Sequence, residues 1–315
     1  MPEIVCLGEA LIDVFAETGV PLRDASTLSP SPGGAPANLT VALARLRADV
    51  GFIGKVGVDE YGSYLIDLLK QEGIDTTFFV AEPGAPTMLA IVATPSKETP
   101  QFILYNGANA LLRIEELPKD YITSANIFIY GSVTLSNTSR EAALQAAKWA
   151  KAAGNHVIFD VNLRSLIWPD LKTAKHWINK GVASATILKL NEEELEFLTG
   201  EKDPEAGSDK LLQQSIQLCC VSLGSKGVFF NNGTFKKHVP AFAVKVVNTT
   251  GCGDAFVGGL AYGLNAEKDA ILNLSEKSLT QMIRFANACG ALAATKVGAM
   301  SGLPGLDEVK SLINR

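Results

Sequence analysis

Short apolar runs alternate with longer segments of helical period along most of the chain. The apolar runs predict buried strands at Ile4–Leu7, Ile127–Tyr130, Val157–Asp160, Ile187–Leu190 and Cys219–Leu223. Helical periodicity predicts helices at Arg140–Ala153, Leu171–Ala183, Glu192–Thr199, Asp254–Leu264, Ser278–Thr295 and Asp307–Ile313. This alternation predicts an α/β fold, a doubly wound and mainly parallel sheet with helices on both faces. Ligands of such folds gather at the carboxyl ends of the strands.

Two regions depart from this alternation. Val14–Ser31 is rich in Pro, Thr and Ser, and Thr76–Tyr105 contains three short strand-like pieces, at Thr77–Val80, Met88–Ala93 and Phe102–Tyr105. They predict a small β lid, built from parts of residues 14–31 and 76–105 and inserted into one domain that spans residues 1–315. No repeat, low-complexity tract or linker divides the chain.

Composition excludes several classes of function. Apolar residues make up 47% of the chain, and the net charge of −5 argues against a nucleic-acid partner held by phosphate neutralisation. The N-terminal residues do not resemble a signal peptide, and no segment is apolar for long enough to cross a bilayer, so we expect no membrane partner. The five cysteines form no C-x-x-C pair, which favours a reducing cytoplasm over a disulfide framework or a zinc site.

The segment Asn248–Asp254 carries the clearest chemical signal. It follows a short β-branched run, Val244–Val247, and it leads into a predicted helix. A glycine-bearing loop before a helix presents unpaired N–H groups and the positive end of the helix dipole, which suit a phosphoryl group. The Asp254 carboxylate could accept a hydroxyl proton there. On this segment alone, an aspartate that merely caps the helix is an equally good interpretation.

Other nucleotide-binding motifs are absent from the sequence. The stretch Gly51–Val56 has neither the spacing nor the hydroxyl of a Walker A motif. A Rossmann glycine pattern would need a small residue where Phe256 stands, which disfavours a nicotinamide-dependent dehydrogenase.

A second segment, Gly33–Asn38, precedes the predicted helix Leu39–Leu46. Paired glycines let the backbone approach a ligand closely, and Asn38 offers both a donor and an acceptor to sugar hydroxyls. By itself the segment would be better interpreted as an ordinary flexible loop before a helix.

Together, the two segments resemble the two signatures of the ribokinase-like carbohydrate kinases, which include ribokinase and fructokinase, and the likeness covers essentially the whole chain. The resemblance implies a general base at Asp254 and an anion hole from Gly251, Cys252 and Gly253. It also implies phosphoryl transfer from ATP with Mg²⁺, through a loose transition state in which positioning and charge neutralisation matter most. The sugar would be held by residues that match the family's sugar-binding positions, at Asp13, Gly33, Gly34, Asn38, Tyr105 and Arg164.

Further motifs fit the nucleotide side of the same family. Asn191–Glu194 resembles its N-x-x-E motif, in which Glu194 would organise Mg²⁺ through water. The resemblance places ATP against Asn162, Asn191, Ser222, Gly224, Gly227 and Asn287.

The surroundings of these motifs favour fructose, phosphorylated to fructose 6-phosphate. Pro32–Leu46 and Phe159–Trp168 closely resemble fructokinases, and Arg164 would contact the sugar or the transferring phosphate. In a sequence without this match, Arg164 would be read as pairing with a surface carboxylate. A 2-keto-3-deoxygluconate kinase, which needs a cation in the lid, is the nearest rival. No arginine follows Tyr105 here, although Arg113 or Arg164 could fill that role.

Other members of the family and a catalytically silent sugar sensor are further alternatives. A sensor has no need for a base, so the presence of Asp254 with the glycine loop argues against that reading. We also expect a homodimer formed through exposed edges of the lid.

Two residues depart from the family pattern. Asn248 stands where many relatives have Asp, beside a monovalent-cation site that the resemblance builds mostly from backbone carbonyls, here at Asn248, Thr250, Ala293, Lys296 and Gly298. The missing charge weakens the electrostatic case for K⁺ but leaves an amide oxygen as a ligand. Cys252 replaces a residue that is usually alanine. We interpret it as an inert filler rather than a redox-sensitive thiol.

Overall fold

A computed structural model describes residues 1–96, 101–267 and 270–314. Its strands are β1 (Ile4–Leu7), β2 (Leu11–Ala16), β3 (Leu28–Gly33), β4 (Val50–Gly57), β5 (Asp75–Glu82), β6 (Leu89–Ala93), β7 (Gln101–Tyr105), β8 (Ile127–Gly131), β9 (His156–Asp160), β10 (Ile187–Asn191), β11 (Leu218–Ser222), β12 (Val228–Asn231) and β13 (Lys236–Val239). Its helices are α1 (Ala35–Arg45), α2 (Glu60–Gln71), α3 (Lys119–Thr123), α4 (Ser132–Leu135), α5 (Arg140–Ala152), α6 (Leu171–Ser184), α7 (Glu192–Thr199), α8 (Pro204–Leu212), α9 (Cys252–Ala266), α10 (Glu276–Ala293) and α11 (Leu306–Ile313).

The larger sheet forms the centre of the molecule. In the described part of the chain its strands follow the order β13-β12-β11-β10-β9-β8-β1-β4-β5. Pairing is parallel from β5 across to β11, while β12 and β13 are added antiparallel at the edge. The strand order reverses direction around β1, so the carboxyl ends of β1, β8, β9 and β10 open a crevice at one edge of the sheet.

Helices cover both faces of this sheet and bury alternate residues of each strand. In β1, Ile4 and Cys6 belong to one apolar cluster and Val5 and Leu7 to the other. The first cluster includes α1, α9, α10 and α11, and the second includes α5, α6, α7 and α8. The doubly wound α/β fold is thereby confirmed. None of the helices in the residues described here is long and apolar enough to span a membrane.

A smaller sheet stands above the crevice as the lid. Its strands follow the order β3-β2-β6-β7, with β2 antiparallel to β3, parallel to β6, and β6 antiparallel to β7. Because β2 follows β1 after a few residues, the lid is tied directly to the carboxyl end of a central strand. Part of the predicted lid region, residues 97–100, lies outside the described residues.

Three local predictions need correction or completion. Thr77–Val80 lies within β5 and pairs with β4 in the large sheet, because α2 returns the chain parallel to β4. Val244–Val247 forms no strand. The Val247 N–H donates instead to the carbonyl of Ala294, just beyond the end of α10, at 2.7 Å. The strand β4 was not predicted, since its three glycines and Lys55 break its apolar pattern.

Candidate active site

A cavity of about 610 Å³ lies between the crevice of the large sheet and the inner face of the lid. Its wall combines the two signature segments with the loop that follows β9. Of the residues predicted for the sugar or the reaction, those that line it are Asp13, Gly34, Asn38, Arg164, Gly251, Gly253 and Asp254, and Asn162 from the predicted nucleotide site and Thr250 from the predicted cation site line it too. The fold therefore brings together segments that lie more than 200 residues apart in the sequence.

Asp254 lies in the first turn of α9, and its side chain is buried against the cavity. Helix α9 begins after Gly251, whose φ of 81° places the backbone in the left-handed region that glycine tolerates. Asn38, from the second segment, donates a hydrogen bond through Nδ2 to Asp254 Oδ2 at 2.7 Å. The amide of Asn38 thus orients the carboxylate, while its own Oδ1 has no hydrogen-bond partner within the described chain.

The environment of Asp254 suits a general base. Burial raises the pKa of this carboxyl to about 6, with a further contribution from the Asp160 charge. The hydrogen bond from Asn38 and the charges of Lys189 and Arg164 act in the opposite direction. The carboxylate is therefore ionised at neutral pH and more basic than an exposed aspartate, as proton abstraction from a hydroxyl requires.

The turn before Asp254 has the geometry of an anion hole. The Cys252 N–H donates to the Thr249 carbonyl at 3.3 Å, so the N–H groups of Gly253 and Asp254 are the ones left at the first turn of α9. Cys252 is half-buried, and burial together with the Asp254 charge raises the pKa of its thiol. A thiol held in its protonated form agrees with an inert filler.

The paired glycines meet the first strand of the lid. A β-carbon at Gly33 would collide with the Asp13 carboxylate. Gly34 has a φ of 100°, and a β-carbon there would lie 2.5 Å from the Glu9 carbonyl oxygen, so neither backbone nor space admits another residue. Burial raises the pKa of Asp13 to about 6, with the Arg164 charge acting against it.

The loop after β9 is held by Glu194. One carboxylate oxygen of Glu194 accepts the Leu163 N–H at 2.7 Å, and the other accepts the Asn191 N–H at 2.8 Å. Asn162, next to Leu163, adopts a positive φ of 34°, and this bend directs the loop toward the cavity. Glu194 therefore connects the predicted metal-organising helix α7 to the loop that carries Arg164.

Four of the predicted nucleotide residues lie where β10 and β11 end, Asn191 and Ser222 as the last residues of these strands and Gly224 and Gly227 in the turn after β11. Asn191 caps α7 by accepting the Glu194 N–H, and the Ser222 hydroxyl donates to the Leu190 carbonyl at 3.2 Å. Gly224 and Gly227 have φ values of 58° and 110°, which shape the turn after β11.

Asn287, in α10, donates to the carbonyls of Val239 and Pro240 at 3.1 and 3.2 Å. These two hydrogen bonds tie the chain that follows β13 to α10, beside the turn after β11. None of these predicted nucleotide contacts except Asn162 lines the cavity, so they lie outside the sugar compartment.

The predicted cation site combines two stretches that the fold brings into contact. The N–H groups of Val247 and Asn248 both donate to the Ala294 carbonyl, and Gly251 packs against Ala299. Asn248 Oδ1 accepts the Thr250 N–H at 2.7 Å, so the amide oxygen already has one partner.

In the second stretch, the carbonyls of Ala293 and Gly298 each accept one N–H, from Lys296 and Gly302, and keep a lone pair. The Lys296 ammonium pairs with Glu308, away from these carbonyls.

Two predicted sugar residues do not line the cavity: Gly33, which packs against Asp13, and Tyr105. Tyr105 ends β7 with 54% of its surface exposed, while Phe102 and Leu104 of the same strand line the cavity. Because side chains alternate along a strand, Tyr105 lies on the outer face of the lid.

Three charged residues near the cavity were not predicted. Glu9 and Lys189 line it, and Asp160 pairs with Lys189 at 3.1 Å, all three being buried. Burial raises the pKa of Glu9 to about 8. A lysine inside the apolar run of β10 and an aspartate ending the apolar run of β9 were the available signals, since such residues are almost never buried without a partner.

A buried base beside an anion hole, under a small β lid, is the arrangement that a kinase for a small hydroxyl-bearing molecule requires. The model of the pfkB family of carbohydrate kinases matches residues 1–306. The chain is 40% identical to probable fructokinase-7 of Arabidopsis thaliana, over 99% of this chain and 92% of that protein. It is 39% identical to fructokinase-1 of Zea mays, over 99% and 98% of the two chains.

Solved structures agree with the sequence comparison. Fructokinase from Xylella fastidiosa with bound ATP superposes with a TM-score of 0.91 at 35% identity, covering 100% of this chain and 99% of that one. A double mutant of fructokinase from Vibrio cholerae O395, bound to fructose, ADP and potassium, gives a TM-score of 0.87 at 31% identity over 99% and 98% of the chains. The chain belongs to the pfkB family of carbohydrate kinases.

Proposed function

We propose that this protein is an ATP-dependent fructokinase that converts D-fructose to fructose 6-phosphate. The observation that carries the proposal is the buried Asp254 carboxylate, oriented by Asn38 at the start of α9 inside the cavity. Near full-length similarity to fructokinases supports fructose as the acceptor.

In this proposal the acceptor hydroxyl lies between Asp254 and the N-terminal turn of α9. Asp254 accepts the hydroxyl proton as the sugar oxygen attacks the γ-phosphorus, and the Gly253 and Asp254 N–H groups stabilise the phosphoryl oxygens. The unpartnered Asn38 Oδ1 and the Asp13 carboxylate face the cavity and are acceptors for the other hydroxyls of the sugar. The apolar lid wall, including Phe102 and Leu104, keeps water from the transferring group.

The nucleotide side fits ATP with Mg²⁺. No group of three His, Cys, Asp or Glu side chains within residues 1–96, 101–267 and 270–314 is placed to cage a metal ion. A carboxylate has about four lone-pair sites, so Glu194 can still contact metal-bound water after accepting its two backbone N–H groups. When bound, Mg²⁺ neutralises phosphate charge. The backbone carbonyls of Ala293 and Gly298, beside Asn248, are suitable oxygen ligands for K⁺.

The charges of the cavity support a neutral sugar over a sugar acid. Three carboxyl groups line the cavity, but burial raises the pKa of Glu9 to about 8, so Asp13 and Asp254 are the ones that face the cations Arg164 and Lys189 as charged groups at neutral pH. Among the described lid residues that line the cavity, none is a lysine or an arginine. A substrate carboxylate would therefore find no lid cation to pair with.

Coupled ADP release by the pure protein, measured with fructose, ribose, 2-keto-3-deoxygluconate and a nucleoside, tests this proposal. We expect the highest kcat/KM with fructose and a requirement for Mg²⁺, and parallel assays with Na⁺ in place of K⁺ test the cation site. Higher kcat/KM with another member of the panel would reassign the substrate, and no turnover with any of them would refute the kinase.

We further propose a homodimer formed through the lid and a cytoplasmic location. Ile103 and Tyr105 expose apolar surface on the outer lid face, and β3 and β7 are edge strands. All five cysteines are free thiols, which suits a reducing compartment. Light scattering on a variant that carries Ile103→Lys and Tyr105→Lys tests the dimer. A mass equal to that of the wild type would contradict this interface.

A further inference from the structure

Lys189 is a buried lysine in the middle of an apolar strand. Its neighbours in β10, Leu188 and Leu190, are fully buried, and its own ammonium lies 3.1 Å from Asp160 Oδ1. Both members of this ion pair have side chains that are less than a tenth exposed. Charged residues are almost never buried at such positions unless they are paired or have a function.

The ammonium of Lys189 lies against the anion hole. A β-carbon built on Gly253 would be 3.1 Å from Lys189 Nζ. Gly253 does not have a positive φ, so its backbone conformation is open to any residue. The missing side chain at Gly253 therefore has a spatial explanation, because it leaves room for the ammonium beside the first turn of α9.

The amine at this position is charged and has N–H groups to spare. Burial alone would lower the pKa of Lys189, but the charges of Asp160, Glu194 and Asp254 raise it above its ordinary value. Across the part of the chain that the structure covers, its hydrogen bond is the one to Asp160. An ammonium carries three N–H donors, so the remaining donors are available to a ligand in the cavity that Lys189 lines.

We propose that Lys189 is a catalytic residue that contacts the transferring phosphoryl group, with Asp160 as the positioning residue that holds its ammonium beside Gly253. The inference rests on the proposed kinase function. In the transfer, the bond from the acceptor oxygen to the γ-phosphorus forms as the bond from phosphorus to the ADP oxygen breaks. ADP leaves with that electron pair, and the acceptor proton goes to Asp254. Lys189 transfers no proton, and its charge offsets the negative charge on the phosphoryl oxygens.

A purely structural explanation makes a different prediction. If Lys189 only neutralises Asp160 in the core, then neutralising both residues removes the unpaired charge and restores both stability and turnover. If Lys189 contacts the phosphoryl group, the double replacement restores stability but not turnover. The single variant Lys189→Met and the double variant that combines Lys189→Met with Asp160→Asn distinguish these two explanations.

Lys55 provides a matched control. It is as buried as Lys189 and pairs with Glu82 and Glu116, at 2.8 and 2.7 Å, but it does not line the cavity. Lys55→Met therefore removes a buried, paired ammonium without touching the site, although the carboxylate partners of Lys55 are more exposed than Asp160.

The experiment measures kcat, KM for fructose and the melting temperature of these variants beside the wild type. We expect Lys189→Met to lower kcat by about 100-fold or more, the scale of losing one oxyanion contact, with an unchanged KM for fructose. Asp160→Asn keeps the Lys189 ammonium but removes the carboxylate that positions it, so we expect a smaller loss of kcat. The double variant should have a higher melting temperature than Lys189→Met but the same low kcat. Lys55→Met should have a lower melting temperature than the wild type and an unchanged kcat.

Two results would overturn the assignment of Lys189 while leaving the kinase intact. One is a Lys189→Met variant with kcat close to that of the wild type, and the other is a double variant that regains wild-type kcat. If Lys189→Met does not fold, the double variant alone decides between the two explanations. A wild-type protein that phosphorylates no sugar would overturn both the proposed function and this inference.

Discussion

Replacing Asp254, the buried base, by asparagine should stabilise the folded protein at neutral pH and abolish its kinase activity. The Asp254 carboxylate is ionised at pH 8 although burial raises its pKa from 3.8 to about 6. That difference corresponds to roughly 3 kcal/mol of extra cost for the charge in the folded state. Asp254→Asn removes the charge, and we expect the free energy of unfolding at pH 8 to rise by up to about 3 kcal/mol.

The pH dependence of this effect has a definite sign. The pKa of Asp254 is higher in the folded state than in the unfolded state, so protonation of this carboxyl favours folding. The resulting stabilisation is complete below pH 3.8, the pKa in the unfolded state, and is lost as the pH rises to about 6. The stability gap between Asp254→Asn and the wild type should therefore open mainly between pH 4 and pH 6. Besides burial, the Asp254 charge contributes to the raised pKa values of Glu9 and Asp13, so the variant lowers both pKa values, and their titration adds a further contribution of the same sign to the gap.

Urea denaturation of both proteins at pH 5, 6, 7 and 8 measures the gap. About half of the contribution of Asp254 itself is expected at pH 5 and nearly all of it at pH 7 and 8. A gap of equal size at pH 5 and pH 8, or a variant that is less stable than the wild type at pH 8, would contradict a raised pKa for Asp254 in the folded protein.

Two further predictions concern the second signature segment. Asn38→Leu removes the donor to Asp254, so the pKa of Asp254 should rise and the acid limb of the kcat/KM profile should move to higher pH; an unmoved limb would contradict this contact. Gly34→Ala should destabilise the fold by about 2 kcal/mol more than Gly19→Ala, because Gly34 meets the Glu9 carbonyl whereas Gly19 has a similar φ in open space. Equal melting temperatures for the two glycine variants would show that the predicted clash is relieved.

The regular elements of the core were predictable because their local patterns agree with their surroundings. Ile4–Leu7 and Glu192–Thr199 have the predicted bounds, the first as a fully buried apolar run and the second as a helix capped by Asn191 and Glu194. Strand β5 was assigned to the wrong sheet, because an edge strand of the large sheet and a lid strand share the same alternating pattern. Pairing partners are set by tertiary contacts, which no local window contains.

The candidate site was predictable where a motif marks it and not where only the fold assembles it. Asp254, Asn38 and Gly34 were found because their segments resemble family signatures, and the structure places them around one cavity. Lys189 and Glu9 were missed, since a single charged residue in or after an apolar strand has no meaning until its neighbours are known. Tyr105 was expected at the sugar because its strand is in the lid, but side-chain alternation directs it outward.

The role of Asp254 as the base is decided by comparing the wild type with Asp254→Asn in the same assay. The measurement is fructose-dependent ADP release at pH 8, with fructose binding followed by calorimetry on both proteins. We predict that kcat falls by about 1,000-fold or more, on the scale of general-base catalysis, while the affinity for fructose changes little. Turnover by the variant within tenfold of the wild type would show that the Asp254 carboxylate is not the base.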